Sequence, residues 1–280
     1  MTSILRLNAD GISYLSRPSE GPVIVFLHGI GSNAHSFERV FSEFPPDFSL
    51  LAWNAPGYLG SEPLTKEWPR PDDYARALAE FLDCLGVERF VLLGHSLGTL
   101  IAAEFARLFP QRVAQLILVS AANGYDIPVG GEIPPKVNAR IEELNALGPR
   151  AFSDARSANL VFQPDRNGDV VEQVKSGMSA VNPHGYAQAV RMLASGNLCS
   201  CLRAGTICPD FVIGAEDRIT PFEQTQLAMA AWNETHSTAP RLVVLENAGH
   251  AVYAQVPGEF IKAISGLVAA RPGATAAGPS

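Results

Sequence analysis

The pentapeptide Gly94-His95-Ser96-Leu97-Gly98 sets a serine between two glycines, where the apolar run Arg89-Phe90-Val91-Leu92-Leu93 gives way to a helix-like run, Thr99 to Phe109. A serine hydroxyl is a weak nucleophile until a neighbouring imidazole takes its proton. A carboxylate behind that ring fixes its tautomer and stabilises the imidazolium. The spacing is that of a sharp strand-to-helix turn, in which the serine backbone is strained and residues two positions away on either side have no room for a side chain. Glycine at 94 and 98 supplies that room. Such a turn lifts the Ser96 hydroxyl above the sheet edge and aims the first amides of the next helix, including that of Leu97, at an oxyanion forming beside it. A bare G-x-S-x-G is common by chance, so its partners decide what it means.

Three further segments supply partners, in the chain order serine, acid, histidine. Val23-Ile24-Val25-Phe26-Leu27 reads as a buried strand ending in His28-Gly29-Ile30-Gly31, a glycine loop whose Ile30 amide is a second candidate oxyanion donor. Asp210-Phe211-Val212-Ile213-Gly214 reads as a strand leading into Ala215-Glu216-Asp217-Arg218-Ile219-Thr220-Pro221, with Asp217 at its end. Leu242-Val243-Val244-Leu245 is followed by Asn247-Ala248-Gly249-His250. Each loop lies beyond the carboxyl end of a strand, where open α/β sheets build their sites. Simpler readings exist for each residue. Asp217 also suits a helix N-cap or a turn before Thr220-Pro221, which would make Glu216 the next candidate acid. His250 also suits a solvated loop. His28 and His95 read as structural supports of the glycine loop and the serine turn, and His35, His184 and His236 as ordinary polar residues.

The elements that must hold these residues follow from the periodicity. Ile4 to Asn8 and Ile12 to Ser16 flank Asp10-Gly11, a hairpin signal. Ser49 to Asn54 and Ala114 to Ser120 read as strands, and Pro71 to Leu85 as a helix with Tyr74, Leu78, Phe81, Leu82 and Leu85 along one face. With the strands above, the pattern predicts eight strands, mostly joined by helices, and therefore an α/β fold with a largely parallel sheet covered on both faces. Gly258 to Ala270 closes it as a helix. From 123 to 202 the alternation stops: the segment is helical, punctuated by Pro128, Pro134, Pro135 and Pro149, and reads as a cap inserted after the sixth strand. The expected division is a core of 1–122 and 203–270, the cap, and a disordered Gly/Ala/Pro-rich tail of 271–280.

From about Gly21 to Ala270 the chain resembles the α/β-hydrolases, and is similar to their serine esterases, enol-lactonases and meta-cleavage product hydrolases. The resemblance implies a triad of Ser96, Asp217 and His250, an oxyanion hole from the Ile30 and Leu97 amides, and a cap that roofs the site and sets specificity. In the cap, Arg191 within Ala187-Gln188-Ala189-Val190-Arg191-Met192-Leu193 is a candidate for a substrate carboxylate, or equally an exposed helix arginine. Two positions depart from the family pattern. Leu59 replaces the second glycine of Gly-x-Gly-x-Ser in Gly57-Tyr58-Leu59-Gly60-Ser61, which points to a different bend, and Thr99 stands where a second glycine commonly follows the turn. Serine at 96, where epoxide hydrolases and haloalkane dehalogenases carry aspartate, implies acyl chemistry. The leading expectation is hydrolysis of a small carboxylic ester or lactone, such as the enol-lactones of aromatic catabolism. An alternative is carbon-carbon cleavage of a ring-fission diketone, whose enzymes typically carry Gly-x-Gly-Pro-Gly in the oxyanion loop and Asn before the nucleophile. This chain has Gly29-Ile30-Gly31-Ser32-Asn33 and His95. A non-catalytic ligand receptor of the same fold is the alternative outside enzymology.

Composition agrees with such an enzyme. The 280 residues suffice for one large α/β domain. Their 21 Lys and Arg against 28 Asp and Glu, a net charge of -7, leave no basic footprint for nucleic acid. No apolar run of about eighteen residues and no charged-then-apolar leader occurs, so neither a membrane span nor a signal is expected and a cytoplasmic location is the default. The four cysteines, Cys84 (on the apolar face of a helix), Cys199, Cys201 and Cys208, lack zinc spacing and read as reduced packing residues, with Cys199 and Cys201 as an alternative redox pair. No cofactor or metal is called for. The expected partner is a small-molecule substrate, and a homo-oligomer is compatible with the sequence.

Overall fold

The computed structural model describes residues 3–270, and the tail expected at 271–280 lies outside them. Eight strands form one sheet: β1 (Leu5–Ala9), β2 (Ile12–Arg17), β3 (Val23–Leu27), β4 (Ser49–Trp53), β5 (Phe90–His95), β6 (Val113–Val119), β7 (Pro209–Gly214) and β8 (Arg241–Leu245). Their spatial order is β1-β2-β4-β3-β5-β6-β7-β8. Only β1 with β2 and β2 with β4 pair antiparallel. The first pair is the Asp10-Gly11 hairpin, with both turn residues at positive φ. From β4 to β8 every pairing is parallel.

The α-helices are α1 (Glu38–Glu43), α2 (Pro71–Cys84), α3 (Gly98–Leu108), α4 (Pro135–Arg156), α5 (Gly168–Ser179), α6 (Pro183–Ser195), α7 (Leu198–Ala204), α8 (Phe222–Asn233), α9 (Val252–Gln255) and α10 (Pro257–Ala269). Helix α1 packs with α9 and α10, while α2, α3, α7 and α8 pack in succession with one another, so the sheet carries two separate helical layers. Burial on both faces explains why β5 and β7 have no exposed position and read as continuous apolar runs rather than alternating ones. In β1, at the sheet edge, Leu5 and Leu7 are exposed.

Between β6 and β7 the chain adds helices and no named strand; a single bridge joins Gly124 to Asn197. Within this insertion α4 is two helices joined at a kink, because Gly148 takes φ 73°, ψ 163° and Pro149 follows it. The boundary expected between 202 and 203 falls inside α7, which packs on α3 and α8 of the core. Cys84 ends α2 exposed to solvent, not on its apolar face. Cys199 and Cys201 are free thiols, and Cys201 Sγ lies 3.3 Å from Glu104 Oε2. Among the described residues no helix is long and apolar enough to cross a membrane.

Candidate active site

Ser96 sits at the junction of β5 and α3 with φ 53°, a left-handed conformation that costs a non-glycine residue on the order of 1–3 kcal/mol. Its surroundings hold it there. The Ser96 N–H donates to Val119 O at 2.9 Å, and its carbonyl accepts from Thr99 N at 2.9 Å and Thr99 Oγ1 at 2.6 Å. The two flanking glycines are sterically required: a Cβ on Gly94 would lie 2.4 Å from Gly98 O, and one on Gly98 would lie 2.5 Å from Leu27 O. Thr99, the departure from a glycine here, is fully buried and accepts a hydrogen bond from Ala122 N at 3.1 Å. Its hydroxyl therefore ties the serine turn to the segment leaving β6, a role that bulk alone does not suggest.

Asp217 and His250 meet across the ends of β7 and β8. His250 Nδ1 lies 2.9 Å from Asp217 Oδ2, with the aspartate side chain fully buried. Asp217 is also the turn residue that its position allows: Oδ1 accepts from Ile219 N at 2.9 Å and Thr220 N at 3.0 Å, and Oδ2 accepts from Thr220 Oγ1 at 2.9 Å. Burial opposes its ionisation, but the neighbouring His250 and these hydrogen bonds outweigh burial and hold the carboxyl well below its ordinary range. Glu216, the alternative acid, is exposed. With Nδ1 committed to Asp217, the Nε2 edge of His250 is left for the cavity that His250 lines together with Ser96. No direct hydrogen bond joins Ser96 Oγ to His250 Nε2 among the described residues; such bonds commonly tighten only around substrate.

The His250 loop is clamped from two sides. His95 Nε2 lies 2.9 Å from His250 O, and the two rings are 4.8 Å apart. Gln255 Oε1 accepts from Gly249 N and from Phe162 N, both at 3.0 Å, while Gln255 Nε2 donates to Phe162 O at 2.8 Å. That glutamine, joining the loop to the cap, had no signal in the sequence. His28 supports the glycine loop: Nδ1 lies 2.8 Å from Gly29 O, and Nε2 accepts from Ala55 N at 3.0 Å. Burial lowers the pKa of His28 to about 4 and that of His95, with His250 adding to the effect, to about 3; both are neutral supports.

Beside Ser96, the glycine loop makes a tight turn, with Ser32 N donating to Gly29 O at 3.1 Å and Tyr58 OH donating to Ile30 O at 2.8 Å. A Cβ on Gly29 would lie 3.1 Å from Ser96 Cβ, so the loop packs directly against Ser96. Ile30 and Leu97 both line the cavity, and neither amide donates a hydrogen bond among the described residues. Leu59 takes φ 45°, the left-handed conformation a glycine adopts without strain.

The cavity has a volume of about 270 Å³, and the inserted helices roof it through Phe152 of α4, Val174 and Met178 of α5, and Tyr186 and Leu193 of α6. Arg191 does not join them. Its guanidinium donates to Glu67 O at 2.9 Å and pairs with the Glu67 carboxylate, so of the two readings offered for Arg191 this geometry matches the structural one rather than the substrate contact: it ties α6 to the loop before α2. The arginines on the cavity wall are Arg140 and Arg156 of α4.

An eight-stranded, mostly parallel sheet, a nucleophile-type turn after β5 and a buried Asp–His pair after β7 and β8 define a class of protein. The family model described as alpha/beta hydrolase fold matches residues 22–256, and the chain belongs to that family. It is similar to the 2-hydroxy-6-oxononadienedioate/2-hydroxy-6-oxononatrienedioate hydrolase 2 of Pseudomonas putida, 33% identical over 128 residues that cover 44% of this chain and 43% of that one. An uncharacterized protein of Mycobacterium tuberculosis is 40% identical over 105 residues, 36% of this chain and 29% of its own. The chain thus spans less than half the length of these curated relatives. Among solved structures, a thermophilic esterase from Thermogutta terrifontis has a TM-score of 0.80 at 22% identity, covering 95% of this chain and 97% of that one. The enol-lactonase from Burkholderia xenovorans has a TM-score of 0.80 at 16% identity, covering 95% and 100%. At these identities the structural likeness speaks to the fold alone.

Proposed function

We propose that this alpha/beta hydrolase is a cofactor-independent serine hydrolase of a small carboxylic ester or enol-lactone, with Ser96 as nucleophile, His250 as general base and acid, and Asp217 orienting the imidazole. The observation that carries the reading is the buried 2.9 Å contact of His250 with Asp217, in a cavity that Ser96 shares at a strained turn. In the proposed course His250 Nε2 takes the Ser96 proton as Oγ attacks the substrate carbonyl. The resulting oxyanion accepts hydrogen bonds from the Ile30 and Leu97 amides. Collapse breaks the acyl-oxygen bond, and the imidazolium returns its proton to the leaving alcohol or enol, leaving an acyl-Ser96. Water, deprotonated by His250, then attacks the acyl carbon, and the carboxylic acid departs with Ser96 restored.

Cleavage of a ring-fission diketone is the second reading, favoured by the 33% identity to the Pseudomonas putida hydrolase. The test is a panel of short p-nitrophenyl esters, enol-lactones and ring-fission diketones, run on wild type beside Ser96→Ala. The expected result is turnover of esters or lactones, lowered by roughly four to six orders of magnitude in Ser96→Ala. Cleavage of the diketones alone would transfer the assignment to the carbon-carbon bond, and full turnover by a folded Ser96→Ala protein would remove the nucleophile.

A further inference from the structure

Apart from its histidines, the cavity wall carries two ionisable charges, and both are positive: Arg140 and Arg156, on the two halves of α4. No aspartate or glutamate lines it. For a chain with a net charge of -7 this is a local reversal of sign. The two arginines are not equivalent. Arg156 Nε donates to Glu143 Oε2 at 3.0 Å, its guanidinium sits 5.0 Å from the centroid of the Phe152 ring, and its charge is balanced. Arg140 is half-buried and makes no ion pair or hydrogen bond with any described residue. The cap end of the cavity is therefore left with one net positive charge beside apolar walls.

A guanidinium removed from part of its water and given no partner is unfavourable unless something else supplies the negative charge. Its planar fork matches a carboxylate bidentately, and one unbalanced charge matches a monoanion. Tyr186, which faces the same space, adds a hydroxyl: burial raises its pKa, with the two arginines opposing, so the phenol stays protonated.

We propose that Arg140 binds a carboxylate at the far end of the substrate, so that the preferred compound is an anionic acyl derivative carrying its scissile carbonyl at Ser96 and a carboxylate under the cap. The proposal rests on the serine-hydrolase reading for the Ser96 end only. The binding site itself is testable without turnover.

The experiment compares mono-p-nitrophenyl adipate with p-nitrophenyl hexanoate, which share an acyl length and differ in the terminal carboxylate, on wild type, Arg140→Gln, Arg140→Lys and Arg150→Gln. Arg150 is an exposed residue of α4 that does not line the cavity, and it controls for overall charge. The ratio of kcat/KM for the charged over the neutral ester is expected to fall roughly 10- to 100-fold in Arg140→Gln, to recover in part with lysine, and to hold in Arg150→Gln. Calorimetry with adipate alone, on the same proteins and on Ser96→Ala, is expected to give binding that weakens by a similar factor only when Arg140 is replaced. An unchanged ratio and unchanged adipate binding in Arg140→Gln, or equal losses in Arg150→Gln, would overturn the proposal while leaving the hydrolase reading intact. Arg140-dependent adipate binding without Ser96-dependent turnover would uphold the anion site and remove the hydrolase reading.

Discussion

At the scale of single residues, Asp217 concentrates three tasks in one carboxylate: it closes the turn after β7, accepts the Thr220 hydroxyl and orients His250. Because its ionised form is held well below the usual carboxylate range, it keeps its charge into acid. Asp217→Asn keeps the turn acceptor but allows the wrong imidazole tautomer. It is expected to lower kcat by roughly 10⁴ with little change in KM, whereas Glu216→Gln, at an exposed site, should leave both constants where they are. Steady-state kinetics on the two variants separates them, and a severe Glu216→Gln beside a mild Asp217→Asn would move the acid. The triad candidates were legible in the sequence because each lies within a few residues of a strand end, so local pattern fixes its place. Arg140 and Gln255 were not. Their roles depend on how the inserted helices settle on the sheet, which no short-range period encodes, and the two readings of Arg191 stayed open in the sequence for the same reason.

At the scale of elements, the central strands were legible to within a residue or two because burial on both faces writes an apolar run directly into the chain, as in Val23–Leu27. The inserted helices were legible only as helices. What seats them is backbone contact: Gly57, in the loop after β4, and Gly185, in the first turn of α6, approach so closely that a Cβ on Gly185 would lie 2.1 Å from Gly57 O. Gly185→Ala must therefore push α6, with Tyr186 and Leu193, off the core. The expected outcome is a raised KM for every substrate, a lower Tm and faster amide exchange in α6, with the Asp217–His250 pair untouched. Exchange confined to wild-type rates would mean that the loop, not the helix, gives way. Thr99 makes a second tie between elements. Thr99→Ala leaves the buried Ala122 N–H without its acceptor and should cost about 1–3 kcal/mol of stability, read from denaturant unfolding.

At the scale of the whole molecule, the supports of the site set how the fold responds to acid. His28 and His95 are neutral and buried, with pKa values lowered to about 4 and about 3, chiefly by burial. In the unfolded chain both return to about 6.5. Below that value the unfolded state takes up two protons that the folded state refuses, so stability is full above about pH 6.5 and is lost as the pH falls towards the folded values. At pH 5 the loss is on the order of 2 kcal/mol for each histidine, a large share of the stability of an ordinary domain. Asp217 works in the same direction, but only as the pH falls through the unfolded carboxylate value of about 3.9, so between pH 7 and 5 the histidines govern. Replacing His95 by Asn removes one of the two refused protons. Whatever this does to stability at pH 7, the slope of unfolding free energy against pH between 6 and 5 should fall by about half, from about 2.4 to about 1.2 kcal/mol per pH unit. The slope, measured by denaturant unfolding across that range, distinguishes a buried neutral imidazole from one that merely packs, because only a group that refuses its proton in the folded state changes it. An unaltered slope would mean that His95 takes up its proton in place, and that the Ser96 turn and the His250 loop tolerate a charge between them.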